Sequence, residues 1–408
     1  MAPNETEEGT GRRKAARYAV PVAVVGVAAA TIGLVPALAD SGDPNLPKVT
    51  AQELIEKIAK SDTEQLSGTV KIHTDLGLPS FGGALTGGAG GIGGGQGGDR
   101  DGGSAADPKA KLTELATGTH TLRVAADGPD RQKLSILEDA SEYSVIHNGA
   151  DLWAYDSKSN QAYHAKDTGA ADRDAKRKPS EVPATPKELT DEILKASGDT
   201  TSFSVDGTAQ VAGRDAYRLQ IKPKQSGSTV GAITVSVDAK TGTPLKFTLT
   251  PASGGAAVVD AGFTTVDFGK PAASTFDFKP SKGTKVTEAD ELAAQDPQDH
   301  GAGRGAEDFK GAGDLEGLTV LGKGWTSIAE LKLPGDSGAA GLASGEHSGD
   351  MPADAQKFLD SLGDKVTGKF GSGTVYSTRL VNVLITEDGK VYAGAVTKDA
   401  LVKAADAG

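Results

Sequence analysis

The sequence predicts an α+β protein that is mainly β: a large antiparallel sheet with one dry face under a helical lid, followed by a small C-terminal α+β domain. Three observations lead there. After residue 50, run after run alternates apolar with polar residues. Turn signals recur roughly every eight to ten residues between 119 and 164. Few segments carry helical periodicity, so helices are scarce relative to strands. The chain has 408 residues, enough for two domains and a linker, and its 55 glycines assign part of it to loops. A hydrophobic content of 37% still provides a core. With a formal charge of −12 and no long Lys/Arg block after the N-terminus, nucleic acid is not an expected partner. The absence of cysteine excludes disulfides, thiolate metal sites, a cysteine nucleophile and a lipidated cysteine anchor.

Residues 1–39 read as a signal peptide or an N-terminal membrane anchor. Arg12, Arg13, Lys14 and Arg17 precede an apolar run from Tyr18 to Leu38, and Ala37-Leu38-Ala39 stands before Asp40 where a signal peptidase would cut. The run is long enough to span a bilayer, although Pro21 and Pro36 interrupt it. Either reading places the rest of the chain outside the cytoplasm, secreted or anchored by 18–38.

The first helix is "TAQELIEKIAKSD": Thr50 and Glu53 form a capping-box pattern, and Leu54, Ile55 and Ile58 make one apolar stripe. "SGTVKIHTDLGL" follows as a strand. Residues 82–108 form a Gly-rich insertion in which Gly88, Gly90 and Gly93 match G-x-G-x-x-G through glycine abundance alone. From Thr119 to His164 short strands turn at "DGPD", "LEDASE", "HNGAD" and "DSKSNQ". "TPKELTDEILKASG" gives a second helix, with Thr185 as N-cap, Pro186 in its first turn and Gly198 as C-cap. Strands then place Tyr217, Leu219 and Ile221, next Ile233, Val235 and Val237, and next Leu245, Phe247 and Leu249 on one dry face. "DAKTGTP" turns between the last two, Phe263 to Phe268 adds a strand, and "TFDFKPSKGTKV" leaves the sheet. Residues 287–313 read as a linker. In 314–408, "GLTVLGKGWTSIAELKL" gives strands, "PADAQKFLDSLG" a helix, and "TVYSTRLVNVLITEDGKVYAGAV" a hairpin turning at Glu387-Asp388-Gly389, with Thr397 capping a last helix.

A sheet of about eleven strands, at about 4.8 Å each, would be on the order of 50 Å wide. Two or three helices, each about 10 Å across, do not cover it. The sheet must therefore curl onto its own dry face. Full closure gives a plain core, and partial closure gives a cavity under the helices.

"SGTVKIHTDLGLP", "GADLWAYDSKSNQAYH", "VAGRDAYRLQIKPK", "ITVSVDAKTGTPLKF" and "FDFKPSKGTKV" together resemble, in this order, segments of the LolA-like superfamily of lipoprotein carriers and RseB-like envelope-stress sensors. The resemblance covers about residues 50–286, assigned as a LolA-like domain over 45–286. It implies an unclosed antiparallel β-barrel under a helical lid, enclosing a cavity for acyl chains. RseB-like proteins also carry a second domain, and the Gly/Ala-rich style suggests an actinobacterial two-domain form. The implied partners are lipid or lipoprotein acyl chains, or an envelope regulatory protein such as an anti-sigma factor. No cofactor and no enzyme activity are expected.

Cavity candidates are Trp153, Tyr155, Tyr217, Leu219, Ile221, Val235, Val237, Phe247 and Leu249, with Leu54, Ile58, Leu189 and Ile193 on the lid helices. For Trp153 and Tyr155, which share a strand face, ordinary core is the competing reading. Gly335-Asp336-Ser337-Gly338 matches the run around a serine-protease nucleophile but lacks companion motifs, so it reads as a surface loop. His147 and His164 lack carboxylates at ligand spacing and read as surface histidines.

Overall fold

The computed structural model describes residues 44–77, 111, 115, 117–166, 198–288, 318–332 and 363–408. The predicted signal segment, the Gly-rich insertion, the second lid helix with Leu189 and Ile193, the Gly335–Gly338 run and the 352–362 helix lie outside these residues, as does nearly all of the linker.

Helix α1 (Ala51–Ala59) forms as its sequence requires. Thr50 Oγ1 accepts from Glu53 N at 3.2 Å, and Glu53 Oε2 accepts from Thr50 N at 2.7 Å, closing the capping box. Beyond it run β1 (Gln65–Thr74), β2 (Gly118–Asp127), β3 (Arg131–Leu137), β4 (Glu142–Asn148), β5 (Asp151–Asp156), β6 (Gln161–Lys166), β7 (Thr201–Val211), β8 (Arg214–Pro223), β9 (Val230–Asp238), β10 (Pro244–Pro251), β11 (Val259–Asp267) and β12 (Lys285–Glu288). They form a 12-stranded sheet in the order β12-β6-β5-β4-β3-β2-β1-β11-β10-β9-β8-β7, with β12 and β7 as unjoined edges. Every pairing is antiparallel except β12 with β6.

The register carries one dry face across the sheet. Tyr143, Ile136, Leu122, Val70 and Phe263 stand in one row, and Ile72, Ala261, Phe247, Val235 and Leu219 in another. These rows feed two adjoining cores, one around Val70, Leu122 and Phe263, the other around Leu219, Val235 and Leu54. Each fully buried Leu or Val contributes about 1.5–3 kcal/mol. The sheet curls: the Arg214 guanidinium at the start of β8 lies 4.5 Å over the ring of Phe268, just past β11, three strands away in sheet order. Register shifts at Thr69/Val70 and between Val205 and Thr208 mark bulges of the kind that bend a sheet.

One sequence boundary is corrected. Thr287 and Glu288, expected to open the linker, end β12, so the segment after Phe268 leaves the sheet only to rejoin it at the far edge. Two strands, β7 and β15, were not distinct in the sequence. β7 holds Ser, Thr and Gly residues, and its bulge at Asp206–Gly207 breaks the two-residue period.

The second sheet contains β13 (Leu318–Leu321), β14 (Ile328–Lys332), β15 (Gly363–Gly368), β16 (Gly371–Ser377), β17 (Asn382–Thr386) and β18 (Lys390–Gly394), ordered β13-β14-β18-β17-β16-β15. Helix α2 (Lys398–Ala407) presses Leu401 and Ala405 onto Ile328, Val375, Leu384 and Tyr392. Burial, reinforced by Glu330, pushes the Tyr392 phenol up to about 12.

Contacts join the two sheets at one end of the first. Trp325 packs with the Leu219 core, its Nε1 donating to Thr201 Oγ1 at 2.7 Å, while its backbone N donates to Gln225 Oε1 at 2.9 Å. Thr229 N donates to Ala395 O at 3.0 Å, and Thr397 N to Gly227 O at 2.8 Å. Arg379 Nη1 reaches Asp75 Oδ2 at 2.6 Å, and its Nη2 donates to Ala256 O.

Candidate functional site

The dry face of β7–β10 is the region the sequence marked for a ligand. Tyr217, Leu219, Ile221, Val235, Val237 and Leu249 are all buried in one cluster beneath Leu54 and Ile55 of α1, with Ile58 at its margin. Phe247 is only partly buried and, with Val259, touches both cores, so the seam between the cores runs beside it. The segment before α1 closes the same face. Tyr217 Oη donates to Pro47 O at 2.9 Å and Thr208 Oγ1 to Pro44 O at 3.1 Å, while Leu46 and Val49 add apolar contact.

The seat of α1 is the β9–β10 turn. Gly242 has φ +76°, and a Cβ there would fall 2.4 Å from Lys57 O, so only glycine lets the helix end approach. Hydroxyls tie the same corner, with Thr243 Oγ1 donating to Thr63 Oγ1 at 2.9 Å. Asp238, 1% exposed, organises the turn: its Oδ1 accepts from Thr241 N at 2.7 Å, Lys240 N at 2.9 Å and Arg214 Nη2 at 3.0 Å. Burial opposes ionisation, yet the Arg214 and Thr241 hydrogen bonds together hold this carboxyl below the usual range.

Trp153 and Tyr155 lie elsewhere. Ala154 pairs with Val145 and so stands on the dry face, which puts its two neighbours on the opposite, outer face. There they seat a strap formed by the chain between β11 and β12. Phe278 packs on Trp153 and on Tyr155 with centroids 5.2 Å apart, and Trp153 stacks on His164 at 3.9 Å and 14°. Asn160 donates to Gly283 O at 3.1 Å and accepts from Thr284 Oγ1 at 2.9 Å. His164, expected at the surface, is 7% exposed, with Nδ1 2.7 Å from Glu288 Oε2 and Nε2 2.8 Å from Asp151 Oδ1. His147 belongs to the other face by strand alternation, so the two histidines are not neighbours. The legible signal for the strap was the alternation in "TFDF", which places Phe276 and Phe278 on one side.

A curled, open-edged, mainly β sheet with a buried apolar face and an attached smaller sheet is the arrangement that the LolA-like and RseB-like resemblance implies. The chain is similar to MucB in the complex of MucA and MucB from Pseudomonas aeruginosa, at 13% identity and a TM-score of 0.38, covering 87% of this chain and 96% of that one. It is similar to a LolA superfamily protein of Nitrosomonas europaea (12% identity, TM-score 0.20, 57% of this chain, 99% of that one). A putative outer membrane lipoprotein-sorting protein domain from Vibrio parahaemolyticus gives 12% identity and a TM-score of 0.21, covering 55% of this chain and 95% of that one. No protein-family model and no curated protein matches the sequence.

Proposed function

We propose that the chain is a non-enzymatic, extracytoplasmic binding protein that holds an amphipathic ligand, a lipid or the acyl chains of a lipoprotein, against the dry face of its first sheet. The supporting observation is the continuity of that face across the sheet, with α1, seated on one turn, packed over its β7–β10 end. An acyl chain would enter at the Phe247 seam and displace α1 from Leu219 and Val235. Its burial contributes about 0.8 kcal/mol per methylene, so a long chain outweighs the loss of the few apolar contacts of α1. Among the described residues no helix is long and apolar enough to cross a membrane; the apolar run 18–38 lies outside them.

Native mass spectrometry of the protein, exported and purified without detergent, tests the reading. A stoichiometric extra mass that disappears on solvent extraction is expected, with competition by a fluorescent fatty acid. A folded protein with no bound amphiphile and no fatty-acid binding would sink it. A second reading, an RseB-like regulator that captures an anti-sigma factor or another envelope-stress partner, draws support from the docking of the second sheet through Trp325 and Arg379. Such capture would weaken when that docking is broken.

A further inference from the structure

We propose a second binding site, on the outer face of the first sheet, for a phosphoryl group carried on a polyol. Where the strap leaves β11, a pocket of about 370 Å³ lies between β1, β2, β3 and residues 271–275. Its floor follows from the pairing. Thr69 stands opposite Arg123 and Thr265, Arg123 opposite Ser135, and Ala125 opposite both Ser67 and Lys133, so all these side chains share the face away from the dry cores.

The chemistry of the lining is one-sided. Four hydroxyls from the floor, joined by Thr275 of the strap, surround Arg123 and Lys133, and no carboxylate lines the pocket. The nearby acids have other partners. Glu142 accepts from Ser144 Oγ at 2.8 Å and also from Ser135 of the floor, whose hydroxyl lies 2.9 Å from Ser144 Oγ, and it lies 4.0 Å from Lys133 Nζ, a loose pairing. Asp127 is held by Gln65 at 2.9 Å, Arg131 at 2.6 Å and Lys270 at 3.4 Å. Arg123 makes no hydrogen bond or ion pair among the described residues, and only the more distant charge of Glu142 faces it. A planar guanidinium free to make a forked contact, a second cation and a ring of hydroxyls suit a phosphate ester with adjacent alcohols.

The floor is built rather than incidental. The bulge at Thr69/Val70 sits in it, and Gly68 permits it, since a Cβ there would fall 2.4 Å from Thr265 O. The site stands whether or not the dry face is occupied, because the sheet separates them.

Isothermal titration of the intact protein with glycerol 3-phosphate at low salt tests the assignment, beside co-sedimentation with phosphatidylglycerol and with phosphatidylcholine vesicles. Saturable binding of glycerol 3-phosphate is expected, weakened about tenfold or more by Arg123→Gln and by Lys133→Gln, and weakened by added salt. Arg123-dependent binding to phosphatidylglycerol vesicles alone would support the site and place its phosphoryl group on a membrane lipid. Both substituted residues are at least partly exposed, so the variants should keep the wild-type circular dichroism. No binding of any probe, or binding equal in wild type and both variants, overturns the proposal.

Discussion

Asp238 shows how much one buried side chain can organise. It pins the β9–β10 turn, pairs with Arg214, and through that turn supports the end of α1. Asp238→Asn leaves the guanidinium without its counter-charge; breaking a fully buried pair in this way costs about 3–5 kcal/mol, and the cost here is smaller because Arg214 keeps part of its solvent contact. The pH dependence has a definite sign. The folded carboxyl titrates below its unfolded value of about 4, so its contribution is complete above about pH 4 and is lost as pH falls through the lower folded value. Urea unfolding of the wild type should therefore weaken on that acid limb, while the Asn variant, already weaker at pH 7, shows a flatter one. Equal slopes in the two proteins would contradict this. The turn was legible from "DAKTG"; the partner 24 residues earlier was not, because an ion pair across strands leaves no periodic trace.

Helix α1 and the strap are the elements that pack over parts of the two faces. The capping box and apolar stripe of α1 are readable in "TAQELIEKIAK", but where it lands depends on Gly242. Gly242→Ala adds a side chain at a left-handed position against the Lys57 carbonyl, and is expected to cost about 2–3 kcal/mol. Hydrogen exchange should rise over residues 51–60 and stay unchanged in β2–β5, and fatty-acid uptake should quicken. Unchanged exchange would remove α1 from the role of lid. The strap teaches the converse. "LWAYD" is the most aromatic stretch of the sheet, yet its rings hold a passing segment of the same chain. Aromatic crowding signals a packing demand; strand parity alone does not say on which side the partner lies.

At the scale of the molecule, the second sheet is fastened to one end of the first by packing and hydrogen bonds. Trp325, half-buried, enters the Leu219 core, and Arg379 clips Asp75 and the β10–β11 loop. Trp325→Ala should remove about 2–3 kcal/mol from this junction, less than for a fully buried tryptophan. Calorimetry is expected to resolve one unfolding transition for the wild type and two for the variant. A single cooperative transition in the variant would mean that the remaining contacts suffice.

The sequence by itself determined the fold class, the runs of β8–β10 with their dry residues, the hairpin turns and the cap of α1. All of these follow from local period and turn chemistry, which neighbouring residues carry. The tertiary structure alone decided that β12 rejoins the sheet beside β6, that Trp153 and Tyr155 face outward under the strap, and that Ser67, Thr69, Arg123 and Lys133 converge on one pocket. Those outcomes depend on pairing between segments up to about two hundred residues apart, and such register is set by how the whole apolar face is buried, not by any one segment.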